Sequence, residues 1–199
     1  LNLVLAALSI PAGFVFANGA EWFLHKYQLH GRGTKKGGFW SFHWREHHRN
    51  ARRNAHHDPD YELPLLRGWN GQTKEAAGLL LGAVVMAPSA LVSPVFYATV
   101  LFCALEYYVK HKRAHLDAAW AREHLPWHYD HHMGPNQDAN WCVTRPWFDL
   151  LLGTRIPYVG TEREAADIAR DAERKARKEA RAVATEEPSA AQEPAAATA

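Results

Sequence analysis

Two uncharged stretches, residues 1–17 and Ala76 to Leu105, alternate along this chain with two polar blocks that hold nearly all of its histidines. Ten of the thirteen fall into four tight groups: His25/His30, His43/His47/His48, His111/His115 and His128/His131/His132. Only His56, His57 and His124 stand outside them. If Ala76 to Val109 crossed a bilayer once, the two histidine blocks would lie on opposite faces; a hairpin returns the chain to its starting side. Length favours the hairpin, because one straight helix over this stretch would be about 50 Å long against a hydrocarbon core of about 30 Å. Pro88-Ser89 and Ser93-Pro94 sit at its middle, where proline removes a backbone donor and favours a turn. The two halves are then slightly short for full spans, which leaves a partly inserted, re-entrant pair open. The pattern predicts an all-α integral membrane bundle of about three to four membrane-embedded helices, one hairpin among them, under a histidine-rich helical cap.

The mean hydropathy of the 199 residues is negative, yet the average is dominated by a few polar blocks. Residues 1–17 lack a basic leader and run directly into Glu21-Trp22 and the first histidine pair, so a retained membrane helix is expected in place of a signal peptide. Lys26, Arg32, Lys35, Lys36, Arg45, Arg49, Arg52 and Arg53 crowd the first histidine block. The positive-inside rule then puts the cap on the cytoplasmic side, and the flanking spans account for that charge without a nucleic-acid partner. The sequence divides into a membrane domain over 1–160, a charged helical tail over 161–184, and a disordered end over 185–199 rich in Pro, Glu and Ala.

Imidazole binds zinc, iron, copper or nickel through a neutral ring nitrogen, and ten grouped imidazoles exceed what one tetrahedral ion uses. Two ions sharing about five histidines each would use them all. His111 and His115, four apart, share one helix face; His128, His131 and His132 do the same at i, i+3 and i+4, and can serve both ions. His25 and His30, five apart, diverge by about 140° on an ideal α-helix, so they serve different ions or flank a helix end. For His56, His57 and His124 a structural role is the simpler reading, although His56-His57-Asp58 has the makings of a ligand pair with its carboxylate. Cys103 and Cys142 show no spacing for a disulfide or a thiolate site.

Carboxylates are sparse among these ligands, unlike ferritin-like bundles built on Glu-x-x-His. Glu21 lies four residues before His25, the spacing at which it would accept the second ring N–H. Glu106, at the end of an otherwise apolar helix, is expected to order His111 or His115, with a salt bridge to Lys110 as its alternative. These two acids are the candidate catalytic residues.

Taken with Asn140-Trp141 and Trp147-Phe148-Asp149-x3-Gly153-Thr154, the four histidine groups resemble the fatty acid hydroxylase/sterol desaturase superfamily over roughly residues 21–155. The resemblance implies a helical membrane enzyme whose cytoplasmic cap holds two iron ions on the ten grouped histidines. Such an enzyme uses O₂ and two external electrons to hydroxylate, or alternatively to desaturate, a membrane lipid such as a fatty acyl chain, a sterol or a carotenoid. Zinc in the isolated protein would be compatible with it, since zinc outcompetes ferrous iron at nitrogen ligands. The second group departs from the usual His-x2-His-His by one residue, which weakens the carry-over to His43. With no appended haem domain, electrons come from a separate ferredoxin-like or cytochrome donor, and the basic rim suits an acidic one. The competing class is a non-redox zinc membrane protein; a hydrolase of that kind needs a general base, for which Glu46 or Glu123 is the candidate. Phe14, Phe16, Trp22, Phe23, Phe96, Tyr97, Phe102, Tyr107 and Tyr108 line a lipid groove or form ordinary membrane core.

Overall fold

The computed structural model describes residues 3–186, with side chains through Arg181, and no strand occurs among them. The chain divides into two units at Val159/Gly160. In the first, α1 (Leu3–Phe23) runs directly into a π-helical segment (Leu24–His30). A second π-helical segment (His43–His47) leads into α2 (His48–Arg53), and a 3₁₀ turn (Pro59–Glu62) precedes α3 (Gly71–Met86). A 3₁₀ turn (Ala87–Leu91) connects α3 to α4 (Pro94–Leu116), and α5 (Ala118–His124), α6 (Pro126–Met133) and α7 (Trp147–Leu151) follow. The second unit carries α8 (Glu162–Glu186), a charged helix with an Arg163–Asp167 ion pair one turn apart. The disordered end expected over 185–199 falls, beyond Glu186, outside the described residues.

The hairpin forms where the prolines predict it. Pro88 lies in the 3₁₀ turn, and Ser93 caps α4 by accepting from Phe96 N, with Pro94 in its first turn. Tyr97 Oη donates to Ala83 O across the pair. α1 and α4 lie side by side in the same direction: Ser9 Oγ meets Ser93 Oγ at 2.8 Å, and Phe14 meets Phe102 edge-on further along. A Cβ on Gly13 would come within 2.8 Å of Thr99, so glycine sets this close approach. Because both helices point the same way, their histidine-bearing ends coincide.

Two helical segments, Leu3–His30 and Gly71–Leu91, are long and apolar enough to cross a membrane. Large apolar side chains point outward on both, among them Leu8, Val15, Leu80 and Val84. The conventional apolar core is small, centred on Ala114, Ala121 and Leu125 beneath Trp120, Trp127 and Tyr129. Most of the largest fully buried side chains are histidines. The centre of the cap is therefore polar, and its stability depends on how those rings are partnered.

Gly33 follows the first π segment in a tight turn. A Cβ there would lie 1.8 Å from Leu29 O and 2.8 Å from Trp40 O, both backbone atoms with little room to yield. Gly33→Ala is expected to cost about 2–3 kcal/mol, the upper range for overpacking, and to lower the thermal midpoint in detergent. A midpoint equal to that of the parent would mean the turn relaxes freely.

Candidate metal centre

The ten grouped histidines are all buried and converge on one place. His25, His30, His43, His48 and His131 form one set, which we call set A; His47, His111, His115 and His132 form set B, and within each set the donor atoms lie within 4.8 Å of one another. His128 joins through His115, with the two Nε2 atoms 3.1 Å apart, and together with His56 these make a third group. The sets share a wall: consecutive His47 and His48 go one to each, as do His131 and His132, and the rings of His48 and His132 stack at 4.3 Å.

The π-helical segments explain how residues five apart reach one cluster. On an α-helix His25 and His30 would point about 140° apart, whereas i→i+5 bonding in a π turn brings residue i+5 back to within about 50° of residue i. His43 and His48 benefit in the same way. His47, at i+4, falls on the other side of the stripe and faces set B.

The outer nitrogens are held by acceptors, which fixes the tautomers. His25 Nδ1 donates to Trp141 O at 2.6 Å and His131 Nδ1 to Ala139 O at 2.7 Å. His115 Nδ1 donates to His56 O at 2.9 Å and His47 Nδ1 to Asp58 Oδ2 at 2.7 Å, while His111 Nδ1 faces Tyr61 Oη at 2.9 Å and Glu75 Oε2 at 2.5 Å. A carbonyl or carboxylate oxygen only accepts, so His25, His47, His115 and His131 each carry the proton on Nδ1 and turn an Nε2 lone pair inward. In set B the Nε2 atoms of His47, His111 and His132 are buried without a hydrogen-bond partner. In set A the Nε2 atoms approach in pairs: His25–His43 at 2.9 Å, His30–His48 at 3.1 Å, His43–His48 at 3.2 Å and His48–His131 at 3.1 Å. Neighbouring ligands about 2.1 Å from one ion at right angles would sit about 3 Å apart. The Nδ1 protons of His25 and His131 are held outward, so their Nε2 lone pairs point into this cluster of nitrogens, where a cation would satisfy them; the donor set fits metal.

Burial, reinforced by the neighbouring imidazoles, holds the pKa of His43, His48, His128, His131 and His132 well below 6.5. The rings are thus neutral and ready to ligate at pH 7.

Some candidate residues sit elsewhere than their spacing suggested. Glu21 does not hold His25: it accepts from Val143 N, Thr144 N and Thr144 Oγ1 at 3.1, 3.0 and 2.6 Å. It therefore fixes the segment that presents Trp141 O to His25. Glu106 orders neither His111 nor His115 directly, pairing with Arg145 and Lys110, both at 2.8 Å. Glu46 pairs with Lys74 and Glu123 is exposed beside His124, so neither faces the histidines. His57 pairs with Glu62, and exposed His124 stacks on Trp120. His56, by contrast, is fully buried, stacked on His115 at 4.5 Å. The left-handed conformations of Ala55 (φ 52°) and His56 (φ 78°) turn the loop so that its groups pair with the end of α4: His56 Nδ1 to Ala114 O and Asp58 N to His115 O.

Two carboxylates carry roles that sequence reasoning missed. Asp58 figures in the sequence only as the carboxylate of a possible His56-His57 pair, whereas the structure sets it against His47. Glu75 stands at the edge of the uncharged stretch, the same signal that drew attention to Glu106. No family model matches this chain, and neither curated proteins nor solved structures give a match, so its reading rests on the residues and their geometry.

Proposed function

We propose that this chain is a histidine-ligated di-iron membrane enzyme that uses O₂ and two external electrons to hydroxylate an alkyl carbon of a membrane lipid. The observation that carries the reading is the convergence of ten buried imidazoles, nine of them in two adjacent sets and His128 against His115, at the coincident ends of α1 and α4. That number and division suit two ions. Iron bound there would supply ferrous–ferric cycling and O₂ activation, which redox-inert zinc cannot.

The chain's own part is to bind, orient and shield. Set A would hold one ion, and set B with His128 the other, while acceptors at Nδ1 of His25, His47, His115 and His131 keep those protons away from the ligating nitrogens. An open groove between α1 and α4, lined by Ile10, Phe14, Val95, Ala98 and Phe102, offers an alkyl chain an apolar bed pointing toward the histidine end. Exposed Arg32, Lys35, Lys36, Arg49 and Arg53 surround the first histidine block, which supports a cytoplasmic cap and an acidic electron donor. The sites taken up by Glu46 and Glu123 leave a zinc hydrolase without its candidate base.

Anaerobic reconstitution of the detergent-purified chain with ferrous iron, followed by reduction and exposure to ¹⁸O₂ with lipid extract, tests the reading. About two irons per chain and a lipid that gains one ¹⁸O are the expected result. A lipid that loses two hydrogens would place the chemistry in desaturation. Failure to hold iron, with tight zinc and no O₂ uptake, would overturn the proposal.

A further inference from the structure

The two histidine sets are supported by chemically different partners. In set A the ring nitrogens facing outward meet neutral groups: the carbonyls of Trp141 and Ala139, and the side-chain amide of Gln137, 2.9 Å from His48 Nδ1. The one carboxylate near them, Asp138, is mostly exposed and lies 3.6 Å from His30 Nδ1, beyond hydrogen-bond distance. In set B two of the four rings have a buried carboxylate at Nδ1. Asp58, with no exposed surface, takes the proton of His47, and Asn50 Nδ2 and Asp60 N fill its other oxygen. Glu75, one-tenth exposed, lies against His111 Nδ1 and accepts from Tyr61 Oη at 2.8 Å, while Tyr61 Oη is itself 2.9 Å from His111 Nδ1.

We infer that the two metal positions are inequivalent, and that set B, through Asp58 and Glu75 acting as positioning residues, is the tighter and more electron-rich one. The inference rests on the dimetal reading. An imidazole that donates to a carboxylate is a more basic ligand than one that donates to an amide carbonyl, and two buried negative charges beside set B further favour a cation there. Set A has five rings but no buried anion against them. A first ion is expected to enter set B, and the second to complete set A.

Anaerobic titration of the metal-free full chain in detergent with Co²⁺, read by its visible ligand-field absorption and by chelator competition, separates the two steps. The parent is expected to bind two equivalents with distinct affinities and distinct spectra. Asp58→Asn and Glu75→Gln, which keep shape and remove charge, are each expected to weaken the tighter equivalent about 10- to 100-fold and to shift its spectrum alone. Gln137→Ala is expected to weaken only the looser one. General loss of fold would not produce this opposite pairing of variants and equivalents, and the unaffected equivalent serves as the control for folding. Two equal equivalents in the parent, or charge removal that moves both together or only the looser, would overturn the inequivalence and leave the dimetal reading standing. A parent that binds no Co²⁺ would overturn both.

Discussion

Acidification from pH 7 to 5 is expected to release bound metal and to unfold the histidine cap. Six rings outside the apolar spans, His43, His48, His56, His128, His131 and His132, are held below their ordinary pKa by burial, His56 down to about 3. In the unfolded chain each would titrate near 6.5. A group whose pKa is depressed by folding contributes its full share of stability above the unfolded value and loses it as pH falls, because the unfolded state then binds the extra proton. One unit below 6.5, each ring that stays neutral in the fold costs roughly 1 kcal/mol, so several together approach the whole stability of an ordinary domain. Bound metal opposes this, yet protons compete for the same lone pairs, so release and unfolding are coupled. Trp141, packed edge-on against His30, and Trp44, against His48, make tryptophan emission a local probe. Emission and filtrate metal should change together between pH 6.5 and 5. A cap that keeps both at pH 5 would show that proton competition at these rings is too weak to release the metal and would overturn the expectation.

The grouping of histidines and the proline-marked hairpin were legible in the sequence because both depend on local chemistry. A proline ends a helix wherever it stands, and ten imidazoles at the ends of apolar runs have few other uses. The assignment of each ring to an ion was not legible. Azimuths computed on an α-helix separate His25 from His30. The π segments reverse that reading, and nothing in Leu24–His30 announces a π turn ahead of the tertiary contacts that select it. The carboxylate partners were misplaced for a related reason. Spacing along one helix pointed from Glu21 to His25 and from Glu106 to His111, but the acids that reach set B come across the fold, Asp58 from the loop before the 3₁₀ turn and Glu75 from the first turns of α3. Gln72, on the same turn as Glu75, shows how α3 is held there: it donates to Leu63 O and accepts from Tyr108 Oη and Lys112 Nζ.

Asp149→Ala is expected to have the largest effect on stability of any change away from the histidines, and the reason lies in residues 139–144. This segment supplies Ala139 O to His131, Trp141 O to His25 and Val143 O to Trp127 Nε1, so its carbonyls aim two rings of set A. Its N–H groups are held by two carboxylates, Glu21 at Val143 and Thr144 and fully buried Asp149 at Trp141 and Cys142, at 2.9 and 2.8 Å. Asp149 also accepts from Thr154 Oγ1 at 2.7 Å, after Gly153 (φ 66°) turns the chain back. The Asp149-x3-Gly153-Thr154 run is therefore one closed turn that ties set A to the end of α7. Alanine would leave three donors unpartnered, at about 1–3 kcal/mol each, for a loss of about 5 kcal/mol. The rings of His25 and His131 would lose their aim along with the strap, so the looser metal equivalent should disappear at temperatures where the chain is still folded. Asp149→Asn, which keeps one acceptor but turns an amide N–H₂ toward a backbone N–H, should fall between alanine and the parent. Thermal unfolding in detergent, paired with metal counted per chain, checks both effects. An alanine variant that melts within about 1 kcal/mol of the parent and keeps both metals would mean that the strap holds its shape without the carboxylate, and that set A owes its geometry to the π turns alone.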